Sequence, residues 1–364
     1  MPESEVSAKA NVNKDTDGDG LPDIWETKGY DYDGDGKIDV DLKALGADPK
    51  KKDIFIAYAW MPKGPDEAKS HKPTPAILNA ITKAFARAPV SNPNGTKGIK
   101  VHWKNLGSIP YKQNLNLTAT NWAEFDAIMD RKVSPAERAI YHRMINGRQY
   151  DGGFSSGLAR GIPASDFVET LHSSATTAQR AGTIMHELGH NLGLRHGGID
   201  HENYKPNHLS IMSYANQFDW LIKNGQPYLD YERFVLQDLY ENRLDEARGL
   251  TRKGGDRPIA NYGVRWFTNG KGYFKGADAN KNVNWSASGS ATQKNVPVDI
   301  NNSGTRTVLR AGYSEWDHIV YDGGQIGASA NKAARKPIPL PPDALKELSL
   351  EEHQRMQRSI IEIK

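Results

Sequence analysis

Eleven consecutive residues near the middle of the chain, His186 to His196, constrain the fold more than any other segment. They read H-E-L-G-H-N-L-G-L-R-H, with three histidines and a glutamate at fixed spacing. His186 and His190 are four residues apart, so a helix places both imidazole rings on one face, one turn apart. Apolar residues at the i, i+4 and i+8 positions favour this helix. They are Ile184, Leu188 and Leu192.

Imidazole nitrogens are common zinc ligands, and a catalytic zinc site uses three protein ligands and keeps one position open. Gly193 is placed to end the helix, because glycine reaches a left-handed conformation without a Cβ penalty. The chain can then turn back and present His196 as the third ligand. Glu187 lies beside the first ligand, where it can take a proton from attacking water and pass it to the leaving amine. The motif therefore predicts zinc bound by His186, His190 and His196, with Glu187 as general base and acid.

Two other histidines, His201 and His208, follow closely and are alternative third ligands if the loop folds differently. Asp200 and Glu202 are weaker candidates for a carboxylate that orients a ligand ring.

A second motif, Ser210-Ile211-Met212-Ser213-Tyr214, follows the histidines after a short polar segment. With the histidine motif, it resembles the metzincin clan of zinc endopeptidases. In that clan a methionine in a tight turn packs beneath the three-histidine site, and Met212 matches it. In some branches a tyrosine two residues later reaches the metal or the transition state. The resemblance thus implies that Tyr214 donates to the developing oxyanion. It covers roughly residues 50–250, with specific motifs only between 183 and 214.

The pattern of apolar runs predicts an α+β fold. Strands are predicted at 53–59, 98–103 and 166–171, and helices at 74–88 and 134–145. Strand–helix alternation with apolar strands predicts a twisted, mostly parallel sheet. The metzincin resemblance adds an active-site helix above a lower helical or irregular subdomain. The segment 231–247 reads as a helix that closes this lower part.

Composition shifts along the chain predict four segments. Residues 1–49 are acidic, and residues 1–14 are expected to be disordered. Residues 50–250 form the metzincin-like domain. Residues 251–336 are rich in glycine and asparagine and predict irregular β structure, with aromatic residues more often in the core than on a binding surface. Residues 337–364 predict a tail helix that starts at Ser349, with Glu352 completing a capping box.

Residues 15–26 match the twelve-residue calcium loop at every position that supplies a ligand. Gly20 stands where the loop turns sharply. The predicted calcium ligands are Asp15, Asp17, Asp19, the Leu21 carbonyl, Asp23 and Glu26.

A second loop starts sixteen residues later, and Leu42 stands where the bidentate glutamate belongs, which predicts weaker calcium binding. Its candidate ligands are Asp31, Asp33, Asp35, Lys37, Asp39 and Asp41. The short offset leaves no room for paired EF-hands, and Pro22 lacks a backbone N–H that such pairing uses. The segment looks more like the calcium-loop repeats of thrombospondin type 3 and dockerin modules.

Charge and composition exclude several classes of function. The net charge of +3 does not indicate a surface that binds nucleic acids or membranes. No apolar run is long enough to span a membrane. The chain has no cysteine, so it forms no disulfide. Weak calcium loops suit the extracellular medium, which predicts a secreted protein although the first residues do not form a signal peptide. A monomer is expected.

The sequence thus predicts a calcium-stabilised zinc endopeptidase that acts on a protein or peptide substrate. One alternative is a zinc amidase or toxin with one defined target, because both need the same activation of water. Another is a calcium-dependent binding module on an inactive protease fold.

Overall fold

A computed structural model describes residues 13–252, 255, 259–327 and 347–363. The chain forms two compact units. The first contains the residues up to Ala175, together with His190–Gly193 and Ile319–Glu347. The second contains Thr176–Gly189, Leu194–His318 and the residues from Leu348 onward. The expectations for residues 1–12, 253–254, 256–258, 328–346 and 364 lie outside the described residues.

The first unit contains a five-stranded sheet in the order β2-β1-β3-β5-β4. Its strands are β1 (Asp53–Trp60), β2 (Lys100–Ser108), β3 (Tyr141–Asn146), β4 (Gly157–Ala159) and β5 (Asp166–Glu169). The first four in spatial order run parallel, and β4 pairs antiparallel with β5 at the edge. The predicted mostly parallel sheet is therefore confirmed.

Strand β1 is the centre of this unit because it pairs on both sides. Phe55 lies opposite His102 of β2 and Tyr141 of β3. Seven of its eight residues are buried, as expected for a parallel strand covered on both faces. Its side chains join a core that includes Phe125 and Val168.

The helices of the first unit are short. They are α1 (Asp23–Lys28), α2 (Leu42–Leu45), α3 (Pro75–Ala86), α4 (Ala123–Met129) and α5 (Pro135–Arg138). Helix α3 matches its prediction, and Thr74 caps its start through the Ile77 amide. The helix predicted at 134–145 is wrong beyond its first turn. Ser134 and Glu137 form the capping box, but the apolar residues that follow enter β3 between two neighbouring strands.

The second unit contains helix α6 (Thr177–Asn191) as far as Gly189, and its other elements are short. These are α7 (Tyr214–Gln217), β6 (Leu221–Lys223), β7 (Gln226–Tyr228), β8 (Leu239–Tyr240), β9 (Val264–Thr268), β10 (Lys271–Lys275), β11 (Val308–Leu309), a 3-10 turn at Glu315–Asp317, α8 (Leu350–Gln357) and β12 (Ile361–Glu362). The large aromatic residues Trp266 and Trp285 are fully buried in its core, as predicted.

The helix predicted at 231–247 is wrong. Backbone groups of this segment bond to distant segments instead of to each other. The Gln237 amide donates to the Thr251 carbonyl, and β8 pairs with β11. The apolar residues were correctly predicted to pack, but their partners are strands and loops far along the chain.

The predicted tail helix begins as expected, as α8, but it ends at Gln357 and the chain then enters β12 (Ile361–Glu362). Ser349 accepts from the Glu352 amide while the Glu352 carboxylate accepts from the Ser349 amide. This reciprocal capping satisfies two donors at the helix start.

Helix α6 is fixed at its start by a third reciprocal pair. The Thr176 hydroxyl accepts from the Gln179 amide, and the Gln179 side chain accepts from the Thr176 amide. Further along, Gly182 lies directly against the backbone of Gln217, where a Cβ would overlap the carbonyl oxygen. The absence of a side chain at Gly182 is what lets α7 approach α6.

We expect Gly182→Ala to destabilise the protein by about 1–3 kcal/mol, because the new methyl group overlaps backbone that cannot rotate away. Helix propensity alone predicts the opposite sign, about 1 kcal/mol of stabilisation. Chemical denaturation of the full chain measures the difference. Gly276→Ala is the control, because a Cβ there meets nothing within 4 Å. Equal midpoints for the two variants would contradict the steric argument.

Candidate metal centre

His186 and His190 lie one turn apart on α6, and both side chains are fully buried. The Nδ1 atom of His186 lies 3.0 Å from the carbonyl oxygen of Ile211. A carbonyl only accepts, so Nδ1 carries the proton and Nε2 carries the lone pair. This is the way in which proteins orient a metal-binding imidazole.

The chain reverses at the end of α6 through a Schellman motif. The Leu194 amide donates to the Gly189 carbonyl and the Gly193 amide donates to the His190 carbonyl. Gly193 has a φ of +90°, which residues with a Cβ rarely adopt. This turn returns the chain toward the helix, so that the rings of His186 and His196 lie 5.2 Å apart between centroids.

A fourth potential ligand joins the three histidines. Nitrogen atoms of His186, His190 and His196 and a carboxylate oxygen of Glu347 all lie within 4.8 Å of one another, and all four residues are buried. Three imidazoles and a carboxylate are a donor set that suits zinc. The residues present therefore fit a zinc ion.

Sequence reasoning missed Glu347. Its Oε1 atom lies 3.5 Å from Nε2 of His190, and its side chain is fully buried. Glu347 lies far from the histidine motif along the chain and belongs to no recognisable sequence pattern. Only the folded chain brings it to the histidines.

Glu187 follows the first histidine on α6 and is fully buried. Its position on the helix is that of the predicted general base, beside a ligand rather than among the four clustered donors.

Met212 packs against Gly189 on the same helix. A Cβ on Gly189 would overlap the Met212 sulfur, and it would lie 3.1 Å from the ring of Tyr231. Tyr231 also donates from its hydroxyl to the Met185 carbonyl at 2.6 Å. The lack of a side chain at Gly189 thus allows Met212 to lie directly against α6.

Tyr214 lies close to two of the histidines. Its ring centroid is 4.7 Å from that of His196 and 5.8 Å from that of His186. Asn203, which sequence reasoning missed, accepts from the Tyr214 amide at 2.8 Å. It therefore positions the backbone at the start of α7.

The alternative third ligand His208 is held elsewhere. Its Nε2 lies 2.8 Å from Glu315, which also accepts from the Ser210 hydroxyl. His201 lies near His196, with 5.8 Å between ring centroids, but it is not among the four clustered donors. The weaker carboxylate candidates also have other partners: Asp200 pairs with Lys205, and Glu202 accepts from Asn301.

The first acidic loop places Asp15, Asp17 and Asp19 together, with carboxylate oxygens within 4.8 Å of one another. Asp15 accepts from the amides of Gly18 and Gly20, which folds the loop around its carboxylate. The structure does not bring Asp23 into this group. Its carboxylate instead accepts from the Thr16 amide and hydroxyl.

Asp19 and Glu26 form a further group with Asp53, the first residue of β1. Sequence reasoning missed Asp53 because it lies outside the twelve-residue loop. Leu21, the predicted carbonyl ligand, is buried beside this group.

The second loop repeats the first at the backbone level. Asp31 accepts from the amides of Gly34 and Gly36, and it groups with Asp33 and Asp39. Three other candidate residues do not belong to the group. Asp35 pairs with Lys37, and Asp41 caps α2 through the Ala44 amide.

Comparison with known proteins gives little. No protein-family model and no curated protein matches the chain. Among solved structures, archaemetzincin from Methanopyrus kandleri aligns with a TM-score of 0.27 and 14% identity, over 45% of this chain and 81% of that one. A structure described as a chaperone–substrate complex aligns with a TM-score of 0.26 and 18% identity, over 45% of this chain and 27% of the other. Similarity at this level assigns neither fold nor activity.

Within the described ranges, no helix has the length and apolar character needed to cross a bilayer.

We expect His196→Ala to lose bound zinc, because it removes one of the clustered nitrogen donors. His208→Ala is expected to retain zinc, since His208 pairs with Glu315. The zinc affinity of His196→Ala should fall by more than the about 10- to 100-fold that follows the loss of a residue hydrogen-bonded to a metal ligand. Zinc content by elemental analysis after dialysis measures both. Retention by His196→Ala together with loss by His208→Ala would reverse the assignment of the third ligand.

Proposed function

We propose that this protein is a zinc-dependent endopeptidase of the metzincin type. The observation that carries the proposal is the buried cluster of three imidazoles on and just after α6, with Glu187 on the same helix. His186, His190 and His196 would hold the ion. Zinc bound there would polarise a peptide carbonyl and make water a stronger nucleophile at neutral pH.

The protein's own groups supply the proton transfers and the charge stabilisation. Glu187 takes the proton of the attacking water and returns it to the leaving amine, as a general base and then a general acid. The Tyr214 phenol, beside His186 and His196, donates a hydrogen bond to the carbonyl oxygen as negative charge develops on it. Met212 supports the histidine face by packing on Gly189. The substrate is a protein or a peptide.

Glu347 favours a second candidate. Four protein ligands are typical of a structural zinc site, whereas a catalytic site keeps one position open. A zinc site with four protein ligands would fit the alternative of a calcium-dependent binding module on an inactive protease fold. In the peptidase, the same carboxylate competes for the open position and restrains activity.

We further propose that the two acidic loops bind calcium and that the protein acts outside the cell. The support is the loop pattern and the folding of each loop around its first aspartate. Calcium at the concentrations found outside cells suits modules of modest affinity.

Glu187→Gln should keep zinc and lose nearly all hydrolysis of a protein such as casein, about 10²- to 10⁴-fold, because the amide cannot accept the proton of water. Zinc content and casein cleavage are measured on the same preparation. Cleavage at the parent rate would overturn the mechanism.

Digestion of a peptide library by the parent protein separates broad peptidase action from the narrower alternative. Many cleaved peptides support the endopeptidase. A zinc-loaded protein that cleaves none of them points to an amidase or toxin with one defined target.

Glu347→Ala should keep zinc and hydrolyse casein faster than the parent, because it removes the carboxylate beside His190. Glu351→Ala is a matched control, since Glu351 is largely exposed on α8. Loss of zinc from Glu347→Ala, with no gain of hydrolysis, would identify a structural site instead.

A further inference from the structure

Four carboxylates are buried together where the acidic segment meets β1. Asp17, Asp19, Glu26 and Asp53 are 6%, 2%, 1% and 2% exposed. All four belong to the first unit. Buried carboxylates at this density repel one another strongly unless a cation lies among them.

Glu26 is the clearest sign of a missing ligand. Neither of its carboxylate oxygens accepts a hydrogen bond from any residue in the described part of the chain. One of them lies within 4.8 Å of carboxylate oxygens of both Asp19 and Asp53. Oδ2 of Asp17 also has no hydrogen-bond partner among the described residues. Both side chains therefore direct unsatisfied anionic oxygens into the cluster.

The nearby cations among the described residues neutralise this cluster only in part. Lys52 donates to the backbone carbonyl of Asp17 rather than to a carboxylate, and His102 pairs with Asp53 at 2.5 Å. A buried carboxylate without a counter-charge is strongly disfavoured.

We propose that Asp53 completes a calcium site with Asp15, Asp17, Asp19 and Glu26, so that one ion joins the first acidic loop to the central strand of the sheet. The inference rests on the proposal that the first loop binds calcium, and it adds a ligand from outside the loop. Calcium prefers six to eight oxygen ligands in flexible geometry, which a set of carboxylates with the Leu21 carbonyl supplies. Zinc prefers nitrogen and sulfur ligands, so the two metal sites differ in kind.

Asp53 couples the ion to the sheet through its backbone as well. Its amide donates to Oδ2 of Asp19 at 2.7 Å, and it starts the pairing of β1 with β2 opposite Lys100. Binding of the ion therefore fixes the first residue of β1. The second loop lacks such a buried cluster, since Asp33 and Asp39 are exposed.

The test is a calcium titration of the full chain after removal of bound calcium by a calcium-selective chelator. Calorimetry gives the dissociation constant, and thermal melting gives the shift that calcium produces. We expect the parent to gain melting temperature with calcium and much less with magnesium at equal concentration. An equal shift with magnesium would overturn the calcium assignment.

Two isosteric variants separate the loop from its additional ligand. Glu26→Gln should melt higher than the parent without calcium, because folding no longer has to bury a carboxylate among other carboxylates, and it should lose most of the calcium-induced shift. Asp53→Asn should bind calcium about tenfold more weakly or worse, since ligand charge sets affinity in such sites. Asp66→Asn is the control for net charge, because Asp66 is largely exposed and lies outside the cluster.

The outcomes distinguish the two proposals. No calcium-induced shift in the parent would overturn both. A shift that Glu26→Gln abolishes, and that Asp53→Asn leaves at the value of Asp66→Asn, would overturn the role of Asp53 and leave the loop site standing. If Asp53 only stabilised the fold through its pair with His102, Asp53→Asn would lower the melting temperature equally with and without calcium.

Limited trypsin digestion gives an independent measurement. Lys50, Lys51 and Lys52 directly precede Asp53, so calcium should slow cleavage there in the parent and not in Asp53→Asn. Protection of both proteins to the same extent would contradict the coupling of the ion to β1.

Discussion

The contact between Met212 and Gly189 is the constraint on which the histidine cluster depends. It places the turn at residues 210–214 directly against α6, beside His186. Two further features follow from this placement. The Ile211 carbonyl reaches Nδ1 of His186 and selects its tautomer, and the start of α7 holds Tyr214 beside the rings. A side chain on Gly189 would separate the turn from the helix and disturb both.

Local patterns predicted much of this arrangement. The capping residue Ser349 was predicted correctly, because a cap depends on residues three positions apart. The end of α6 followed from Gly193, since its left-handed conformation has few alternatives. The apolar run at 53–59 predicted β1 because it is buried on both faces.

Distant contacts were not predictable in the same way. Glu347 and Asp53 join their clusters through the fold, with no spacing rule that links them to the motifs. The segment 231–247 has apolar residues at intervals that fit a helix, but tertiary pairing with residues 251 and 307–309 decides its structure. The helix predicted at 134–145 failed for the same reason, because a place between two parallel strands outweighs local periodicity.

The proposed cation shared by the first loop and β1 would also act on the unfolded chain. It would close a loop between Asp15 and Asp53 in a protein without cysteine. Closing such a loop removes conformational entropy from the unfolded ensemble, as a disulfide does. A metal ion differs from a disulfide in that the closure reverses by mass action, so stability follows the free concentration of the ion. The proposed ion would then act as a cross-link whose strength depends on the surrounding medium.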